Sequence, residues 1–133
     1  MSFIEIDTLR TRFASSEWPT FDSVVKDECE NDRTVIIDIT IDKGVRWFEG
    51  HFPEQPVLAG VVQTHWAGEL SKFVFDIEDD FIRIDNLKFQ AVVLPGLSMS
   101  LSLVRNEEKN SVKFSFSTGD TMYSEGRLVF AKG

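Results

Sequence analysis

The stretch WFEGHFPEQPVLAGVVQTHWA, residues 47–67, changes character at Gly60. Before Gly60 it contains two of the four prolines of the chain, which stiffen the backbone, and after Gly60 no proline interrupts it. The two histidines of the chain, His51 and His65, lie on either side of this change, fourteen positions apart. The pattern predicts a stiff apolar turn followed by a helix, with one imidazole on each element.

The segment after Gly60 predicts one helix, over residues 61–75. One stripe at helical spacing is apolar and consists of Val62, Trp66, Leu70 and Phe73. The neighbouring stripe consists of Val61, His65, Gly68 and Lys72. Because the first two turns are apolar around much of their surface, we expect the helix to be buried.

The remaining sequence predicts strands. The clearest signal is LSMSLSLV, residues 97–104, in which large apolar residues alternate with serines as in a half-buried antiparallel strand. We predict five strands in one antiparallel sheet wrapped around the helix, near residues 33–41, 86–94, 97–104, 111–118 and 122–131. This is an α+β fold. Near the N-terminus, Ile6 and Leu9 are compatible with either a short strand or a helical turn.

Composition limits the class of protein. Of the 133 residues, 42% are hydrophobic and twelve are Phe, which is enough for one folded domain over residues 1–133. The net charge is −8 and no basic stripe is present, which argues against a nucleic-acid partner. No stretch approaches the roughly 20 apolar residues of a membrane span, and the acidic, polar N-terminus does not resemble a signal peptide.

The few sulfur and imidazole side chains narrow the chemistry further. Cys29 is the single cysteine, so no internal disulfide can form, and we expect a cytoplasmic protein. One Cys and two His make a zinc site improbable. We therefore expect neither a metal nor a cofactor.

The stretch GHFPEQPVLAGVVQTHWA resembles the signature of the 3-hydroxyacyl-[acyl-carrier-protein] dehydratases, which have the hot-dog fold. Their pattern is G-H-F-P, two variable residues, P-V, one residue, P-G, and then a helix with an acidic residue fourteen positions after the His. The matched positions are Gly50, His51, Phe52, Pro53, Pro56, Val57 and Gly60. The segment NLKFQAVVLPG is similar to the strand that follows in this family, and the form PVLAGVVQTHWA is similar to the aryl-polyene branch.

The resemblance implies an activity and a site. It implies a lyase that removes water from a 3-hydroxyacyl thioester carried on an acyl carrier protein. His51 would be the base at C2, because imidazole titrates near neutral pH. The N–H group of Gly60 at the helix start would stabilise the charge that develops on the thioester oxygen. In the resembled family the His of one subunit works with the helix of the other, so we expect a homodimer.

Two positions depart from the family pattern. Ala59 replaces a proline, which removes no chemical group. His65 occupies the place of the acidic residue that handles the departing hydroxyl group. An imidazole can donate and accept hydrogen bonds, so His65 is our candidate for that role. Glu69, one helical turn later, could orient His65 or supply the missing carboxylate.

Two other functions remain open from the sequence. A hot-dog thioesterase would hydrolyse the acyl thioester, with a carboxylate base on or near the helix, a role that Glu69 could fill. A non-catalytic homologue would bind the acyl thioester without changing it, with His65 marking the lost acid. The product formed from a 3-hydroxyacyl thioester distinguishes the three functions.

Overall fold

The computed structural model describes residues 6–28, 32–42 and 58–131, which form two helices and six strands. In chain order these are helix α1 (Ile6–Arg12), strands β1 (Thr20–Glu28) and β2 (Asp32–Thr40), helix α2 (Gly60–Val74), and strands β3 (Phe81–Phe89), β4 (Ser98–Asn106), β5 (Ser111–Ser117) and β6 (Met122–Phe130). Neither of these helices is long and apolar enough to cross a membrane.

The strands form one antiparallel sheet in the order β1-β2-β4-β5-β6-β3. The alternation of β4 sets the register, because Leu101 lies opposite Ile37 on one side and opposite Phe116 on the other. All three side chains are buried, so they form a continuous apolar layer across the middle of the sheet. The two edges of the sheet are β1 and β3.

Helix α2 packs against this apolar layer. Trp66, Ala67 and Leu70 are completely buried and belong to the same core cluster as the inward-facing residues of β2, β4 and β5. The predicted helix over 61–75 is confirmed within one residue at each end, and its apolar stripe faces the core as predicted. The helix therefore lies on the interior side of the sheet and not in solvent.

The prediction for the strand that follows α2 was wrong in its bounds. We placed it at 86–94, but β3 covers Phe81–Phe89. Its neighbour β6 explains the difference, because β6 begins at Met122 and pairing ends where Phe89 lies opposite Ser124. The apolar residues that follow β3, residues 91–94, are not part of a strand. Val93 is completely buried, and its carbonyl oxygen accepts a hydrogen bond from the N–H of Leu58 at 2.8 Å.

The other strands agree with the sequence more closely. Those predicted at 33–41, 97–104, 111–118 and 122–131 are present, each with ends within two residues of the prediction. The N-terminal part of the chain adds two elements to the predicted ones. The choice left open at Ile6 and Leu9 is settled as helix α1, and β1 was not predicted.

The loop after α2 is anchored by a polar network at the β4–β5 turn. The Arg105 guanidinium donates to the Asn110 side-chain oxygen at 2.7 Å, and the Asn110 amide donates to Asp79 at 2.8 Å. Burial is the main cause that lowers the pKa of Arg105, and the nearby Glu107 carboxylate acts in the opposite direction. Since Asp79 follows α2, this network fixes the chain just beyond the end of the helix.

Candidate active site

One face of α2 borders a cleft of about 260 Å³ between the helix and strands β3 and β6. The helix side of the cleft consists of Val61, Thr64, His65, Gly68, Glu69 and Lys72. The strand side is apolar and consists of Phe81, Ile84, Leu128 and Phe130. An apolar wall facing a few polar side chains suits a ligand that is largely hydrocarbon with one polar end. The neighbouring stripe of the predicted helix, which consists of Val61, His65, Gly68 and Lys72, is thus the stripe that faces the cleft.

His65 lies on the cleft face of α2, one turn after the start of the helix. Its side chain is exposed, so it is not a core histidine. Its imidazole stacks on the indole of Trp18, with ring centroids 5.4 Å apart and ring planes at 27°. Glu69 is also exposed and lines the same cleft. The structure therefore brings these two residues, both singled out from the sequence, to one cleft.

Gly60, the first residue of α2, is in very close contact with β3. A Cβ atom at this position would lie 2.6 Å from Cζ of Phe89, closer than two carbon atoms can approach. Ala59 precedes the helix in an extended conformation, with φ −61° and ψ 147°. In the described residues, the ring of Phe89 occupies the space that a side chain at Gly60 would need. The glycine thus has a packing role as well as its predicted catalytic one.

The first turn of α2 also contains a buried polar pair that sequence reasoning missed. The Ser124 hydroxyl group on β6 donates to Oε1 of Gln63 at 2.7 Å, and Nε2 of Gln63 donates to the Leu58 carbonyl oxygen at 3.2 Å. Gln63 is 3% exposed and Ser124 is completely buried. A buried glutamine with both ends of its amide satisfied holds its partners at fixed positions. The signal in the sequence was a glutamine at helical spacing from Ala67, Leu70 and Val74, all apolar.

The predicted base, His51, lies outside the described residues, as do the other residues of the motif before Leu58. Leu58 itself is held at both of its backbone polar groups. Its N–H bonds to Val93 and its carbonyl oxygen to Gln63, so the point where the motif joins the helix is fixed from both sides. Among the described residues, the site therefore comprises the helix start, His65, Glu69 and the cleft.

A larger hollow, of about 490 Å³, lies near α1 and β1. Its lining includes Arg10, Phe13 and Trp18 but none of the residues that the sequence predicts for the site. Because the predicted residues line the smaller cleft, we assign the candidate site there.

Comparison with known proteins identifies the family. Residues 27–127 match the model of the ApeI-like family, described as ApeI dehydratase. The 3-hydroxyacyl-[acyl-carrier-protein] dehydratase FabZ of Rickettsia massiliae is 28% identical over 117 residues, covering 81% of this chain and 77% of that protein. FabZ of Helicobacter hepaticus is 32% identical over 105 residues, covering 69% of this chain and 59% of that protein.

Solved structures agree with this assignment. A chain of the dehydratase heterocomplex ApeI:P from Xenorhabdus doucetiae superposes with a TM-score of 0.77 at 26% identity, covering 86% of this chain and 99% of that chain. An uncharacterized protein from Erwinia carotovora subsp. atroseptica gives a TM-score of 0.76 at 29% identity, covering 86% and 96%. The hot-dog fold predicted from the motif is confirmed. With three quarters of its residues inside the family match, the chain belongs to the ApeI-like dehydratase family.

Proposed function

We propose that this dehydratase removes water from a 3-hydroxyacyl thioester carried on an acyl carrier protein and releases the trans-2-enoyl thioester. The observation that carries the proposal is the cleft, in which His65 and Val61, the residue after Gly60, face an apolar wall of β3 and β6. The FabZ relatives are named for this substrate, and the GHFP motif precedes the helix here as it does in that family. We keep the cytoplasm as our predicted location.

The chemistry divides between the two histidines. His51 takes a proton from C2, and the electron pair left there forms the C2–C3 double bond as the bond from C3 to the hydroxyl oxygen breaks. The departing hydroxyl group takes a proton from His65 and leaves as water. Solvent then returns a proton to His65 and removes one from His51. The sum is loss of one water molecule, with no oxidant or cofactor.

The start of α2 supplies the third part of the mechanism. As C2 loses its proton, negative charge develops on the thioester oxygen. The first N–H groups of a helix have no partners within it and carry the positive end of its dipole. The N–H of Gly60 is our candidate donor. Gln63 supports it, because its bond to Leu58 fixes the helix start relative to the chain that leads to His51.

The apolar wall of the cleft suits the acyl chain. Phe81, Ile84, Leu128 and Phe130 line it over several residues of β3 and β6. Burial of hydrocarbon there stabilises the complex by about 0.8 kcal/mol for each CH₂ group. The polar side chains on the helix side are then left to face the thioester and the hydroxyl group.

We propose that two copies of the chain pair along β3. Of the eight large apolar side chains that the described residues expose, six lie within residues 81–94: Phe81, Ile82, Leu87, Phe89, Val92 and Leu94. Among the described strands β3 pairs only with β6, which leaves the other edge of β3 free for a strand of a second molecule. The related ApeI:P assembly is a heterocomplex. A homologous second chain on the same edge is therefore the alternative outcome.

The function is tested by the product. Purified protein is mixed with a 3-hydroxyacyl-acyl carrier protein and the acyl group is followed by mass spectrometry. Loss of one water molecule is the expected result. Release of the free acid would instead indicate the thioesterase, with Glu69 as the leading base. An unchanged acyl group would indicate the non-catalytic binding protein.

The role of His51 is tested by His51→Ala. Dehydration should fall by at least about 100-fold, the effect of losing a positioned base. Glu54→Ala, at a variable position of the same motif, is the matched control and should keep the rate. Near-normal turnover in His51→Ala would show that the base lies elsewhere.

Mixing two inactive variants tests whether subunits share a site. If His51 of one subunit works with His65 of the other, a mixed dimer of His51→Ala and His65→Ala contains one intact site. Random mixing should then restore about a quarter of the wild-type activity, because half of the dimers are mixed and each has one of two sites. No recovery in dimers shown by light scattering to have exchanged subunits would contradict the shared site.

A further inference from the structure

Trp18 lies in the segment between α1 and β1, outside the residues 27–127 that match the family model. We infer that Trp18 is a positioning residue for His65, holding its imidazole by stacking so that the ring keeps one orientation in the cleft. The inference rests on the proposed role of His65 and deepens it. It assigns a function to a part of the chain that the family match does not cover.

The stacking geometry is the first support. The two rings are close to parallel, at 27°, and their centroids are 5.4 Å apart, within the range for an attractive aromatic pair. Trp18 is half-buried and His65 is exposed. An exposed side chain on a helix samples several rotamers, and a fixed aromatic surface against one ring face favours one of them. The stack on Trp18 therefore favours one orientation of the imidazole.

Trp18 can do this because it is itself fixed. Its ring meets Phe13 edge-on at 4.5 Å, and Phe13 meets Phe73 of α2 edge-on at 5.4 Å. The backbone beside Trp18 is also held, since Nε1–H of Trp66 donates to the carbonyl oxygen of Glu17 at 2.8 Å. Trp66 is completely buried and is the next residue after His65. The stack is thus positioned by contacts on the same helix that carries the imidazole.

The chemistry of the two residues fits a matched pair. His65 stands where the resembled family has a carboxylate, which has no flat aromatic face for an indole to cover. An imidazole does have one, and its two nitrogens lie on the ring edge, so stacking on a face leaves them able to bond a hydroxyl group. A stacked indole is therefore a means of holding an imidazole that a carboxylate could not use.

The experiment compares three variants of the full chain with the wild type. Trp18→Phe keeps an aromatic face and should keep most of the turnover. Trp18→Leu removes the face and should lower kcat about tenfold with KM almost unchanged, because the reacting group is present but less well oriented. Phe75→Leu is the matched control, since it removes a buried ring just after the same helix that is not part of the Phe13, Trp18 and Phe73 cluster. Trp18→Met replaces Trp18→Leu if the latter does not fold.

Two readouts separate positioning from a general loss of structure. The ring protons of His65 should lose the ring-current shift of the indole in Trp18→Leu, but not in Phe75→Leu, in NMR spectra of histidine-labelled protein. In a His65→Ala background, Trp18→Leu should have no further effect on kcat, which is the mark of residues acting through one group.

The inference is overturned if Trp18→Leu keeps the wild-type kcat, if it loses no more than Phe75→Leu, or if its loss is unchanged in the His65→Ala background. Each of these outcomes leaves the proposed dehydration standing, because the wild type is still active. A wild type that does not dehydrate the thioester overturns the proposed function, and the role of Trp18 with it.

Discussion

Helix α2 has two faces that differ in almost every physical property. On the core face, Trp66 and Leu70 are completely buried in the apolar cluster. On the cleft face, Val61 is 75% exposed, and His65 and Glu69 are exposed as well. The first face holds the helix on the sheet, and the second holds groups that can react. The difference implies that stability and turnover can be changed separately on one helix of fifteen residues.

The largest effect on stability is expected on the core face. Trp66→Ala should lower the free energy of unfolding by about 3–5 kcal/mol, because it leaves a cavity in a packed core. It also removes the hydrogen bond to Glu17. Trp66→Phe is the control that loses this bond but keeps much of the volume, and it should cost less. Denaturant unfolding measures both, and a loss below about 1 kcal/mol for Trp66→Ala would show that the site is not tightly packed.

On the cleft face the main effect should be on turnover. His65→Ala should lower kcat by about 100-fold with a smaller change in KM, because the group acts as the bond from C3 to oxygen breaks. Its effect on the free energy of unfolding should be only about 0.5–1.5 kcal/mol, the range for losing an aromatic stack on Trp18 at an exposed side chain.

Replacing His65 by a carboxylic acid sharpens this test. His65→Asp or His65→Glu restores the group that the resembled family has and should recover much of the lost turnover. Steady-state rates and melting temperatures of the three variants are compared. A wild-type rate in His65→Ala, with no change on adding a carboxylate, would remove His65 from the mechanism and make Glu69 the next residue to replace.

The same two faces explain how much could be predicted from the sequence. The core face has a strict helical spacing, and the strand β4 has a strict alternation, so burial alone specifies both. The cleft stripe followed from the helix once its core face was known. The GHFP motif then indicated the chemistry that we propose for this stripe.

What could not be predicted depends on contacts between distant parts of the chain. The bounds of β3 depend on where β6 begins and ends, which is not encoded near residues 81–89. The stack of Trp18 on His65 joins residues 47 positions apart, and the pair of Gln63 and Ser124 joins residues 61 positions apart. Side-chain partners of this kind follow from the tertiary fold and leave no local periodicity.

Two glycines of α2 test how closely different parts of the helix are packed, because a Gly→Ala substitution adds one methyl group. In Gly60→Ala the new Cβ would overlap the ring of Phe89, and the free energy of unfolding should fall by about 1–3 kcal/mol. Phe89 is half-exposed, so Phe89→Ala should relieve the overlap and recover most of this loss in the double variant. Gly68 has no atom within 4 Å of the corresponding position, so Gly68→Ala should stabilise the helix by about 0.5–1 kcal/mol. Thermal or denaturant unfolding measures these changes in Gly60→Ala, Phe89→Ala, the double variant of the two, and Gly68→Ala. Equal effects at Gly60 and Gly68 would contradict a close contact between the helix start and β3, whereas opposite signs would support it.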